Sequence, residues 1–215
     1  MDSSVVAAEI DARLRQLSPG AKVPEIRAVR REYSGALRKA PAPDVMQLAR
    51  TLLARYGHRS VAYELLHQHR PAFRRLTPEL VEELGSGMAS WGETDCFGAY
   101  ISGPAWHAGL VGDDLIHSWA RSPDRWWRRA ALVSCVYPRG DTKRTLTVCR
   151  MLASDRDDMV VKAMSWALRE LVRFDRAAVE GFLAEHDGQL AARAKREVRH
   201  KLDTGLKYPR RVPAG

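Results

Sequence analysis

The sequence predicts an all-α chain, and three observations carry that prediction. Apolar residues recur at helical spacing along its length, proline-bearing start signals open two of the runs, and no alternating apolar–polar stretch is bounded by turn residues. A weak self-similarity refines it. SPDRWWRRAALVS (122–134) lies over DRDDMVVKAMSWA (155–167) at an offset of 33 residues, matching Arg129 to Lys162 and Ala130 to Ala163. Helix pairs that recur at this spacing predict an α-solenoid, curved, with a concave groove suited to an extended ligand. A non-repetitive helical bundle is the alternative.

Residues 43–55 place Val45, Leu48, Ala49, Leu52 and Leu53 on one face, and 58–70 do the same with Val61, Leu65 and Leu66. Thr77 then Pro78 reads as an N-cap with proline at the first helical position, opening the stripe Leu80, Val81, Leu84, Met88. Ser122 then Pro123 repeats the signal before DRWWRRAALVSCVY. Residues 113–120 and TKRTLTVCRML are the helices that precede the two similar segments. FGAYISGPAWHAGLVG (97–112), with four glycines and a proline, predicts a broken helix and loop. LAARAKREVRHKL (190–202) sets Arg193, Arg196 and Arg199 opposite Leu190, Ala194, Val198 and Leu202. These elements make one helical-repeat domain over 1–204, followed by a frayed basic tail over 205–215.

Length and composition bound the function. The 215 residues suffice for a real core, and 45% apolar with 28% charged residues is an ordinary globular balance. No apolar run is long enough for a membrane span, and the amino terminus lacks the pattern of a secretory signal. Cys96, Cys135 and Cys149 give an odd count without CxxC spacing, so no disulfide framework or zinc site is expected and a reduced cytoplasm suits them. Neither His107 nor His117 has a partner at ligand spacing, and no metal or other cofactor is expected. The formal charge of +9 points to a polyanion, with nucleic acid ahead of membrane.

Four local patterns carry chemistry. SWGETD puts Trp91 and Asp95 one helical turn apart, whereas Glu93 faces elsewhere. RWWRRAAL offers Arg128 and Arg129 on an aromatic-rich helix. In VVKAMSWALREL, Met159, Lys162, Arg169, Glu170 and Arg173 fall within about 60° of Trp166, while the apolar stripe centres roughly 110° away. An exposed indole between cations suits a nucleic-acid face. The fourth is the arginine row of 190–202. Each also has an ordinary role, as core tryptophan, helix cap or solvated surface.

Together these residues resemble the AlkD-type DNA alkylation-repair glycosylases, which are built from HEAT-like helical repeats that wrap duplex DNA. The resemblance rests on WGETD, WWRRAAL, KAMSWALREL and REVRHKL, in family order from about residue 85 to 202. It implies that Asp95 supports hydrolysis of the N-glycosidic bond, that Trp91 and Trp166 contact the lesion's deoxyribose, and that Arg129 holds the backbone. It also implies that the damaged base stays stacked, unlike the base flipping usual for glycosylases.

The chemistry is coherent. A purine alkylated at N3 or N7 is a cation and leaves as a neutral base, so no acid need protonate it. Positive charge moves to the sugar, as in glycoside hydrolysis. A carboxylate and two indole rings stabilise that charge, and the carboxylate orients water. The expected protein is a monomeric, cytoplasmic, nucleoid-associated DNA glycosylase for cationic alkylpurines in duplex DNA, with Arg128, Lys162, Arg169, Arg193 and Arg196 as further phosphate contacts. The alternative is a DNA-binding or scaffold protein of the same architecture without catalysis.

Overall fold

The computed structural model describes residues 1–137 and 141–207, which are helical with no strand. In chain order the helices are α1 (Ser3–Arg15), α2 (Val23–Ala36), α3 (Ala42–Ala54), α4 (Arg59–Gln68), the single turn α5 (Arg70–Phe73), α6 (Pro78–Gly85) and α7 (Trp91–Phe97). A π-helical segment (Gly98–Ser102) leads into α8 (Gly103–His107). Then follow α9 (Asp113–Ala120), α10 (Arg125–Ser134), α11 (Thr142–Met151), α12 (Asp158–Leu171), α13 (Arg176–Glu185) and α14 (Ala192–Thr204). No described helix is long and apolar enough to cross a membrane. Of the tail, residues 208–215 lie outside the described part.

Short polar side chains set the helix starts. Thr77, Ser90, Asp124, Asp157 and Asp175 each accept a hydrogen bond from a first-turn backbone N–H. At 122–125 the cap is Asp124 rather than the expected Ser122, whose hydroxyl instead accepts from the Asp124 N–H.

The packing order is regular. α4 packs on α7, α7 on α10, α10 on α12, and α12 on α14, while α9 backs α10 and α11 backs α12. The helices of this series begin at Arg59, Trp91, Arg125, Asp158 and Ala192, every 32–34 residues. Polar cross-links keep the same interval: Arg50–Glu83, Asp95–Arg129, Ser102–Ser134, Thr142–Asp175 and Ser165–Glu197 each join positions 32–34 apart. One apolar core runs from Ala7 to Leu202 beneath them.

The glycine-rich stretch corrects the sequence expectation. Residues 98–107 are not a loop but continue α7 through the π segment into α8. The glycines serve close packing: a Cβ at Gly98 would collide with the Val133 side chain, and one at Gly103 with the carbonyl oxygens of Tyr137 and Ser134. Beside them the Ser102 and Ser134 hydroxyls hydrogen-bond at 2.6 Å. Small residues bring two backbones together here, at a cost in helix propensity that the close packing offsets.

Candidate functional site

The site begins at the start of α7. Ser90 accepts from the Glu93 N–H at 3.3 Å, and the Glu93 carboxylate folds back to the Ala89 N–H at 2.8 Å. This reciprocal cap leaves Trp91 as the first helical residue, with its ring 60% exposed. It also places Asp95 one turn further on, so WGETD is helical and its two named residues share a side.

Asp95 meets Arg129 of α10 in a bidentate pair: Nε donates to Oδ1 and Nη2 to Oδ2, both at 2.9 Å. The remaining Arg129 nitrogen, Nη1, donates to the Met159 carbonyl at the start of α12. Arg129 is only 5% exposed. It therefore joins three helices, and it is not the exposed phosphate clamp that the sequence suggested. Burial pushes the Asp95 carboxyl above its ordinary value, and the Arg129 charge and hydrogen bonds pull it back only in part. The result is a fixed, partly desolvated carboxylate whose side chain keeps about one-fifth of its exposure, able to orient water or stabilise a nearby positive centre.

Most of the other expected cations are already engaged. Arg128 donates to Asp155 at 2.7 Å and to the carbonyls of Ser122 and Pro123. Arg169 is buried, with Nε on Ser165 and an ion pair to Glu197, so it cannot reach a phosphate. Arg193 bridges Asp158 and Glu197, and Lys162 pairs with Asp158 across one turn. Arg196 is exposed, with no ion pair among the described residues.

Trp166 stands on the uncovered stripe of α12 with Met159, Lys162 and Glu170, none of them buried; Arg169 belongs to the covered side. The indole is half-buried rather than fully exposed. It packs edge-on against Tyr137, with ring centroids 6.5 Å apart and planes at 84°, and lines a cavity of about 280 Å³ with Phe174. Asp95 and Arg129 are not among its walls. The structure thus joins Asp95 to Arg129 directly, keeps Trp91 one turn before Asp95 on α7, and sets Trp166 in a cavity whose walls include neither member of the pair.

A register ties these positions together. Asp95, Arg129, Lys162 and Arg196 are each the fifth residue of their helices, and His67 and Trp166 are each the ninth of theirs, as Ala99 is when counted from Trp91 through the π segment. Sequence reasoning set Met159 near Trp166 but missed the role of its carbonyl, and it missed Tyr137, which follows the last turn of α10. A backbone acceptor leaves no trace in residue identity, and Tyr137 stood unremarked at the end of DRWWRRAALVSCVY. Among the described residues no three His, Cys, Asp or Glu side chains are placed to hold a metal ion.

A family model described as "DNA alkylation repair enzyme" matches residues 15–202, which include all of these positions. The chain belongs to this family. As a DNA alkylation repair protein it is also similar in fold to a solved structure, a predicted DNA alkylation repair enzyme from Enterococcus faecalis. The TM-score is 0.72 at 19% identity, over 92% of this chain and 95% of that one. No curated protein matches the chain. The family places this protein in the repair of alkylated DNA; the site residues rest on the geometry above.

Proposed function

We propose that the chain is a monofunctional DNA glycosylase that hydrolyses the N-glycosidic bond of cationic N3- or N7-alkylpurines in duplex DNA. The observation that carries this reading is the Asp95 carboxylate, held by Arg129 and still one-fifth exposed, one turn from an exposed Trp91. Inner helices that start every 32–34 residues, cross-linked at the same interval, support HEAT-like pairs whose inner row forms the DNA-facing groove.

In this reading the alkylated purine leaves neutral and the C1′ centre becomes cationic. Asp95 faces that charge and orients the attacking water, while the Trp91 and Trp166 rings flank the sugar. Arg129 is a positioning residue that holds Asp95, and Lys162 and Arg196 are left as phosphate contacts in the same tier. The cavities at Trp166 and behind Glu93 exclude Asp95 from their walls, which favours attack on a base that stays in the helix.

The test is release of 7-methylguanine from methylated duplex DNA. Wild type releases it, and Asp95→Asn loses about 10²-fold or more in rate while still binding duplex DNA. The occupation of both Asp95 oxygens by Arg129 favours a second reading, in which the pair is purely structural and the protein binds DNA without catalysis. Binding without release by wild type, across several alkyl adducts, would establish that alternative.

A further inference from the structure

A cavity of about 740 Å³ opens between α4, α5, the π segment and α8, outside the Asp95–Arg129 pair. Four basic side chains line it, His67, Arg70, Arg74 and His107, and no carboxylate does. Arg70 and Arg74 are exposed, and neither has an ion-pair partner among the described residues. That contrasts with Arg128, Arg129, Arg169 and Arg193, which are all held by acids. A cluster of free guanidiniums with no balancing acid attracts an anion, and the strongest fit is to phosphate oxygens.

Position identifies the source of the anion. Ala99, on the cavity wall, lies one helical turn beyond Asp95, and Tyr137 lines both this cavity and the Trp166 cavity. One turn advances about 5.4 Å, comparable to the spacing of successive phosphates along a strand. A strand whose sugar sits at Asp95 therefore passes the cavity wall at Ala99 within about one nucleotide, at the cavity that Arg70 and Arg74 also line.

We propose that Arg70 and Arg74, with His67 and His107, form a second phosphate-binding site that holds the DNA backbone next to the damaged nucleotide. This rests on the DNA-repair reading of the Asp95 site and extends it to helices that the family motifs do not reach. His67 adds a signature. Its Nδ1 faces the Tyr100 carbonyl at 3.0 Å, so Nδ1 carries the proton in the neutral ring and Nε2 is the nitrogen that titrates. Burial first, and then the Arg70 charge, hold the ring below its ordinary value; the Tyr100 carbonyl and Glu64 on its own helix oppose them, and Arg74 and His107 face it across the cavity. An arriving phosphate favours the imidazolium, so DNA binding takes up a proton and tightens as pH falls toward 6.

Undamaged duplex provides a test that does not depend on catalysis. By fluorescence anisotropy, Arg70→Ala/Arg74→Ala is expected to bind at least tenfold more weakly at 0.1 M salt. Its slope of log K against log salt is expected to be shallower by roughly 2, one unit for each phosphate no longer neutralised. Thermal melting of the double variant should match wild type, because both side chains are exposed and unpaired. His67→Gln should bind with less dependence on pH between 6 and 8. An unchanged affinity and slope in the double variant would overturn the site. Tight calorimetric binding of inorganic phosphate, abolished in the double variant while DNA binding is kept, would reassign the cavity to a small anion. Either outcome leaves the 7-methylguanine test of Asp95 standing, and the reverse also holds.

Discussion

Arg129 directs one guanidinium at three acceptors on two other helices, and each acceptor constrains what can replace it. Lysine keeps the charge but cannot span both Asp95 oxygens and the Met159 carbonyl. Arg129→Lys is expected to destabilise the fold by about 2–4 kcal/mol, read as a lower urea midpoint. It should also cut activity, because Asp95 loses its orientation. Burial already raises the Asp95 carboxyl, so the acid limb of the pH–rate profile should lie above the ordinary carboxylate range. The rate then climbs as pH rises through that raised value; a limb at or below the ordinary 3.8 would remove Asp95 from the rate-determining step. At this scale the sequence named Asp95 and Arg129 but not what engages them. Arg169 and Trp166 are both near the polar side of the same wheel, yet α14 brings Glu197 over one while the other stays half-open. A wheel carries no information about neighbours 30 residues away.

Among the elements, the α7–π–α8 run tests how far composition predicts structure. Gly103 has carbonyl oxygens of two helices where a Cβ would stand, and Gly181 in α13 has open space. Gly103→Ala should cost about 1–3 kcal/mol, while Gly181→Ala should gain roughly 0.5–1 kcal/mol from helix propensity. Calorimetric Tm values that moved the same way for both would deny the close approach of α8 and α10. Reading 97–112 as a broken helix and loop failed over 98–107 for this reason: glycine disfavours a lone helix and favours a tightly paired one, whereas 108–112 does form a loop. The stripes Val45–Leu52, Val81–Met88 and Ala194–Leu202 were legible because each buries against its neighbours in the simple way that periodicity assumes.

Across the whole molecule, charge is organised more than net charge suggests. Lys162 depresses Asp158, with Arg193 assisting, and Lys195 depresses Asp187, with Arg199 assisting. These carboxyls are more acidic folded than unfolded. The stability they contribute is complete above the ordinary carboxylate range and is lost as pH falls through their depressed values. Asp95 has the opposite sign: its share is present at low pH and fades as pH rises through its raised value. Urea midpoints should therefore decline on acidification, and less so in high salt, since the pairs around Asp158 and Asp187 are largely exposed. A midpoint indifferent to salt at every pH would deny these pairs a role.

The π segment gives the fold a counting problem with a mechanical answer. Five residues there occupy a backbone course that an α-helix would fill with about four, so one extra residue is absorbed between Asp95 and the seam at Gly103. Removing one residue between 98 and 102 should relax the coil to ordinary α-helix and keep the acid and the seam in line. Removing one residue from the α turn before it should instead rotate one against the other by about 100°. The wide turn takes up the odd residue that would otherwise swing the carboxylate away.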